Sequence, residues 1–132
     1  MSKNSFQGQI PGSFGDMKSL ETSSLSNNYL SGRILELLIL VCPLEVLRFS
    51  CNNLQGPVFP HLFNLTELNL LQLSSNNLAK EIPEFSPLVI DISNNYFSGK
   101  LPRWMRKISS LNRLSLSKNY FEGPFSFKIL WP

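Results

Sequence analysis

At 132 residues, with 42% hydrophobic residues, the chain has the size and apolar content of one folded unit. Its formal charge of +3 is spread over a chain in which only 16% of residues are charged, so it lacks the concentrated basic stripe that a nucleic-acid partner requires. The longest apolar run, residues 34–42, falls short of the roughly 20 residues that span a bilayer and contains Glu36, and residues 1–12 lack the apolar core of a secretory signal.

Along the chain, asparagine marks a repeat: Asn4, Asn28, Asn52, Asn76, Asn95 and Asn119 follow one another at intervals of 24, 24, 24, 19 and 24 residues. The first unit, residues 1–19, carries Asn4, Phe6, Gly8, Ile10 and Pro11, with Phe14 and Met17 expected to turn inward after the proline. The second, residues 20–43, supplies Leu20, Leu25, Asn28, Leu30, Gly32 and Ile34, but puts Ser23 where the other units place a strand leucine or isoleucine. Residues 44–67 restore the pattern with Leu44, Leu47, Phe49, Asn52, Leu54, Gly56 and Val58, and Leu62 and Leu65 are expected inward. In residues 68–86 come Leu68, Leu71, Leu73, Asn76, Leu78, Ile82 and Pro83, with Lys80 in the glycine position. This is the unit that is five residues short, so that "SNNYLSG" at 26–32 and "SNNYFSG" at 93–99 are 67 residues apart. Residues 87–110 carry Ile90, Ile92, Asn95, Phe97, Gly99, Leu101 and Pro102, with Met105 and Ile108 expected inward. Residues 111–132 carry Leu111, Leu114, Leu116, Asn119, Phe121, Gly123 and Phe125.

The spacing L-x-x-L-x-L-x-x-N-x-L is that of a leucine-rich repeat. Its L-x-L core alternates as a short strand with one face inward, and stacking the repeats makes those strands a parallel sheet. No single repeat buries its leucines alone, so stability must come from neighbours. Asparagine suits the bend after the strand, because its amide both donates to and accepts from backbone groups left unpaired there. The glycine four residues later is expected where the backbone takes a conformation, or an approach, that a side chain hinders. Neither end carries a recognisable capping repeat, which reads as an internal piece of a longer protein or a truncated product.

The segments "SLSNNYLSGRI", "LSSNNLAKEIP", "DISNNYFSGKLP" and "SLSKNYFEGPF" resemble the plant-specific leucine-rich repeat, LxxLxLxxNxLxGxIPxxLxxLxx, over essentially the whole chain. The chain is most similar to ectodomains of plant receptor-like proteins, with receptor-like kinases next. That resemblance implies a β-rich, α/β-class right-handed solenoid with a parallel concave sheet and an irregular or 3-10 convex side. It also implies a plasma-membrane parent whose extracellular repeats bind a peptide, a glycan or a co-receptor protein. Membrane attachment would come only through a segment absent from this chain.

Chemistry-bearing residues are sparse. Cys42 and Cys51 flank a strand and, at ~3.3 Å per extended residue, are too far apart for a disulfide, so two free thiols are expected. Asn64-Leu65-Thr66 is an N-glycosylation acceptor. His61, the sole histidine, reads as a surface residue, and no metal-ligand spacing, phosphate-binding loop or paired nucleophile and base is present, so neither enzyme activity nor a cofactor is expected. A basic stretch, Lys100, Arg103, Arg106 and Lys107 around Trp104, reads as a solvated convex face rather than a site for acidic cell-wall polymers.

Binding is therefore expected on the concave sheet, where outward residues of successive strands align into columns. The uniform column Ser26, Ser50, Ser74, Ser93, Ser117 reads as scaffold. Two variable columns are the candidates: Thr22, Val46, Leu70, Val89, Arg113, and Ser24, Arg48, Gln72, Asp91, Ser115. The apolar strip Val46, Leu70 and Val89, flanked by Arg48, Gln72, Asp91 and Arg113, suits an extended peptide. The leading reading is a ligand- or partner-binding segment of a plant receptor in defence or developmental signalling. The alternatives are a secreted inhibitor of pectin-degrading enzymes and an inert receptor fragment.

Overall fold

The computed structural model describes residues 4–13, 17, 19–34, 44–57, 67–80, 82, 88–101 and 111–123. Within them lie eleven short strands: β1 (Gln7–Gln9), β2 (Thr22–Ser24), β3 (Tyr29–Gly32), β4 (Val46–Arg48), β5 (Asn53–Pro57), β6 (Leu70–Gln72), β7 (Asn77–Lys80), β8 (Val89–Asp91), β9 (Tyr96–Lys100), β10 (Arg113–Ser115) and β11 (Tyr120–Glu122). Even-numbered strands form one five-stranded sheet and odd-numbered strands a six-stranded one, all pairings being parallel. From the second turn on, each turn thus gives one strand to each sheet, and the turns stack as the expected β-rich solenoid. No helix among the described residues is long and apolar enough to cross a membrane.

The even-numbered sheet is the concave one, and its register follows the repeat: Thr22 pairs with Val46, Val46 with Leu70, Leu70 with Val89 and Val89 with Arg113. The short repeat keeps this register, so its missing residues come out of the return path between β7 and β8. The odd-numbered sheet is an addition to the sequence expectation. It is built by the alternation that follows each asparagine, in which Leu30, Leu54, Leu78 and Phe97 point inward and are buried. Its register slips by two residues relative to the repeat, so that Tyr29 pairs with Gln7, Asn77 with Gln55 and Tyr120 with Ser98.

Between the sheets sits one core. The concave strands contribute Leu47, Leu71 and Ile90, the residues just after them Leu25, Phe49, Leu73 and Ile92, and the far side Ile10, Ile34 and Ile82. Each fully buried aliphatic side chain contributes about 1.5–3 kcal/mol. Ser23 is buried in the column that Leu47, Leu71 and Ile90 occupy in the next turns, so that turn forgoes one such contribution. Met17, expected inward, is instead 45% exposed, and Phe6 is 44% exposed although its equivalents Leu30, Leu54, Leu78 and Phe97 are buried. Both belong to the first turn, which has a neighbour on one side only. Phe14, Leu62, Leu65, Met105 and Ile108, expected to fill the convex half, lie outside the described residues, as do Cys42, His61, Asn64 and residues 102–107. Cys51 is exposed with a free thiol, as expected.

The bend between the sheets repeats in atomic detail. The residue before each asparagine takes a left-handed conformation: Asn27, Cys51, Ser75, Asn94 and Lys118 have φ of 54–58°. The asparagine side chain then points into the stack. Asn76 Nδ2 donates to Leu73 O of its own turn (3.1 Å) and Phe49 O of the turn before (2.9 Å), while its Oδ1 accepts from Leu54 N (3.0 Å). Asn52 does the same with Phe49 O (3.1 Å), Leu25 O (2.9 Å) and Leu30 N (3.0 Å). In the short repeat Asn95 repeats it with Ile92 O (3.2 Å), Leu73 O (2.9 Å) and Leu78 N (3.0 Å). Asn119 closes the series on Leu116 O (3.1 Å), Ile92 O (2.9 Å) and Phe97 N (3.1 Å).

Four residues beyond the asparagines, the glycine column has positive φ throughout, 85° at Gly8, 77° at Gly32, 82° at Gly56, 82° at Gly99 and 95° at Gly123. Lys80 adopts 77° in the same column, a left-handed conformation that costs a residue with a Cβ about 1–2 kcal/mol. Part of that cost is offset because lysine loses less backbone freedom on folding than glycine does. Lys80→Gly is therefore expected to stabilise the chain by about 0.5–1 kcal/mol in urea denaturation. An unchanged or lower midpoint would show that the backbone there is unstrained. Asn76→Ala is expected to cost about 1–3 kcal/mol, because it leaves the buried Leu54 N–H unpaired, while Phe49 O keeps its bond from Asn52 and Leu73 O its bond from Asn95. The exposed neighbour supplies the control: Asn77→Ala should stay within about 0.5 kcal/mol of the parent.

Candidate functional site

Each concave strand is three residues long, with the middle residue inward and its two neighbours outward. Zero shear between strands turns those outward positions into straight columns. The structure assembles both columns read from the sequence: Thr22, Val46, Leu70, Val89 and Arg113 in one, and Ser24, Arg48, Gln72, Asp91 and Ser115 in the other. Val46, Leu70 and Val89 are half-buried and contiguous across β4, β6 and β8, forming an apolar strip three turns long. Arg48, Gln72 and Asp91, also half-buried, run beside it, and exposed Arg113 continues the apolar column at its end. All seven candidate residues therefore lie on one sheet face.

The serine column is held within the face. Ser74 Oγ donates to Ser50 Oγ at 3.0 Å. Asp91 Oδ1 accepts from Ser93 Oγ at 2.7 Å and from Ser93 N at 3.2 Å, so one carboxylate oxygen braces the bend that follows β8. That leaves the other oxygen of Asp91 as its outward acceptor. Sequence spacing places Asp91 only in the outward column, without this local use.

A third column was missed. Glu21, Glu45, Asn69, Leu88 and Asn112 are exposed immediately before the strands. Their carbonyls tie neighbouring turns together: Glu45 O accepts from Asn69 N (2.8 Å) and Leu70 N (3.1 Å), and Asn69 O from Leu88 N (2.8 Å) and Val89 N (3.0 Å). The signal was present, because L-x-x-L holds two variable positions and only the second was used. With this column the face runs from an acidic edge at Glu21 and Glu45, across the apolar strip, to Arg48 and the serines. Among the described residues no cluster of three or more His, Cys, Asp or Glu side chains is arranged to hold a metal.

These features, a parallel-strand solenoid with asparagine bends and a variable concave face, define a leucine-rich repeat protein. The Leucine Rich Repeat family model matches residues 43–65 and 86–108. No curated protein sequence matches the chain. Among solved structures, the Arabidopsis receptor kinase HAESA, in complex with the peptide hormone IDA and the co-receptor SERK1, shares 35% identity with a TM-score of 0.85 over 93% of this chain and 21% of its own. The plant peptide hormone receptor RGFR1, in complex with RGF2, shares 31% identity with a TM-score of 0.84 over 91% of this chain and 20% of its own. The ectodomain of the Arabidopsis thaliana receptor kinase SOBIR1 shares 28% identity with a TM-score of 0.83 over 95% of this chain and 72% of its own. The chain folds as a leucine-rich repeat solenoid similar to those of these plant receptor ectodomains. It spans about a fifth of the length of the two peptide-hormone receptors it matches.

Proposed function

We propose that this chain forms part of the ligand-binding surface of a plant cell-surface receptor, outside the plasma membrane, in defence or developmental signalling. On this reading it binds and does not catalyse. The observation that carries the proposal is the uninterrupted strip Val46–Leu70–Val89 lying beside Arg48, Gln72 and Asp91. An extended peptide running across the turns can set alternate side chains on the strip while its polar groups meet Arg48, Gln72 and the free oxygen of Asp91. The structures of HAESA and RGFR1 with peptide hormones support the reading, because they show similar solenoids with peptide ligands.

The test is a synthetic peptide library screened against the immobilised chain, with hits titrated on variants. Leu70→Ala and Arg48→Ala are each expected to weaken binding about tenfold, the loss typical of a contact that anchors an interface. Asp91→Asn, which preserves an acceptor for Ser93, isolates the carboxylate charge. Unchanged affinity in all three variants would sink the proposal.

Asn64 is proposed as a glycan acceptor on the same extracellular reading. Expressed through a plant secretory pathway, the chain should show an endoglycosidase-sensitive mass shift that Asn64→Gln abolishes. A secreted parent chain without any shift would reject the site.

A further inference from the structure

The residue after each bend asparagine faces solvent, and from the second turn on it begins a strand of the second sheet: Ser5, then Tyr29, Asn53, Asn77, Tyr96 and Tyr120. This column lies around the corner from the concave face. Along it runs an open trough of about 550 Å³, floored by the bend asparagines and walled by Asn53, Asn77, Asn94, Tyr96, Lys118 and Tyr120. Among the described residues, no aliphatic side chain and no carboxylate lines it.

Two kinds of group are available in the trough. The first is a set of uncommitted amides. The floor asparagines spend their side chains on backbone, and Asn94 Nδ2 donates to Ser75 Oγ at 3.1 Å, which leaves its Oδ1 open. Asn53 and Asn77 are exposed and make no side-chain hydrogen bond among the described residues, so each offers two donors and an acceptor. The second is an ordered aromatic surface. Tyr96 and Tyr120 stack with ring centroids 5.9 Å apart and planes 14° from parallel, although they are 51% and 63% exposed. Their mutual stacking holds both rings in place before any ligand arrives. Sheet order places Tyr120 on one side of Tyr96 and the turn of Asn77 on the other. Because asparagine is much shorter than tyrosine, the face of Tyr96 toward Asn77 is left open.

A flat ring face beside amides that both donate and accept is the chemistry that recognises a pyranose sugar. The sugar's axial C–H groups pack on the aromatic face, and its equatorial hydroxyls need donors and acceptors at once. Other ligands fit less well. A peptide anchored by apolar side chains finds no aliphatic lining, a cation finds no carboxylate, and a nucleic acid needs more phosphate contacts than Lys118 supplies. The trough extends over four turns, three strand spacings or about 14 Å, the reach of a short linear oligosaccharide.

We propose that this corner trough is a carbohydrate-binding site for a linear oligosaccharide, with a sugar ring on the open face of Tyr96 and its hydroxyls on Asn77 and Asn53. Lys118 meets a carboxylate where the sugar is a uronic acid. The site is separate from the concave peptide face and does not depend on that reading.

The experiment is saturation-transfer NMR and calorimetric titration of the full 132-residue chain with cellohexaose, a neutral β-linked glucan, and with hexagalacturonate, an acidic α-linked galacturonan. At least one is expected to bind, with Tyr96→Ala weakening it roughly tenfold and Tyr96→Phe, which keeps the ring, staying within about twofold. Asn77→Ala should cost about fivefold. Lys118→Ala should weaken hexagalacturonate alone, in a manner that fades with salt. Arg48→Ala, on the concave face, should leave both titrations unchanged. The proposal is overturned if neither sugar receives saturation, if folded Tyr96→Ala and Asn77→Ala both bind as the parent does, or if Arg48→Ala abolishes binding.

Discussion

The rest of this structure depends on the buried asparagine at each bend. Where the chain leaves the concave strand it must turn sharply, and the turn leaves carbonyls and amides pointing into an apolar core. Leaving such groups unpaired costs about 1–3 kcal/mol each. One primary amide settles the account at the bends of Asn52, Asn76, Asn95 and Asn119, donating to a carbonyl of its own turn and one of the turn before while accepting an amide from that earlier turn. Aspartate has no donor for the two carbonyls, and glutamine places its amide one carbon too far along. Since two of the three bonds cross between turns, the same side chain that closes a bend also sets the distance and register of the neighbour.

That double role explains why the short repeat does no damage to the face beside it. With five residues gone from the return path, the bonds from Asn95 to Leu73 O and from Leu78 N to Asn95 match those of the full-length turns, at 2.9 and 3.0 Å. The concave strand pairs Leu70 with Val89 as though nothing had changed. Register is imposed at the bend, and the return path only has to come back to it. Changes in repeat length are thus absorbed on the side away from the columns, which is how Val46, Leu70 and Val89 remain contiguous.

Much of this was legible from residue spacing, because the features that specify it are local. The alternation of Leu47 with Phe49, or Leu71 with Leu73, marks the concave strands, and Asn and Gly at fixed offsets mark the bend and the positive φ that follows. The second sheet was not read, although Leu30, Gly32 and Ile34 alternate as a strand should. Its hydrogen bonds are made to other turns, in a register slipped by two residues, and neither partner nor slip is written in one repeat. Met17 misled for a related reason, since burial of an apolar position in a solenoid requires a turn on each side. The candidate columns were legible because the concave sheet has no such slip, so repeat arithmetic and spatial alignment coincide there. The bracing of Ser93 by Asp91 is a matter of rotamers and could not be read from spacing.

The repeated heptapeptides SNNYLSG and SNNYFSG then divide into two kinds of residue. Asn28 and Asn95, buried, are bound to the backbone of neighbouring turns and have no freedom to differ without cost. Tyr29 and Tyr96, next in sequence, turn their side chains to solvent and make their inter-turn bonds through the backbone alone, so the scaffold places no demand on the side chain that stands there. A solenoid of this kind exposes two sets of unconstrained positions per turn, one on the concave strand and one just past the bend, spaced by the same ladder. The chain fills the first with an apolar strip and flanking charges and the second with tyrosines and asparagines. Those are different chemistries on a shared frame, and either set can change without altering the bends that hold the frame.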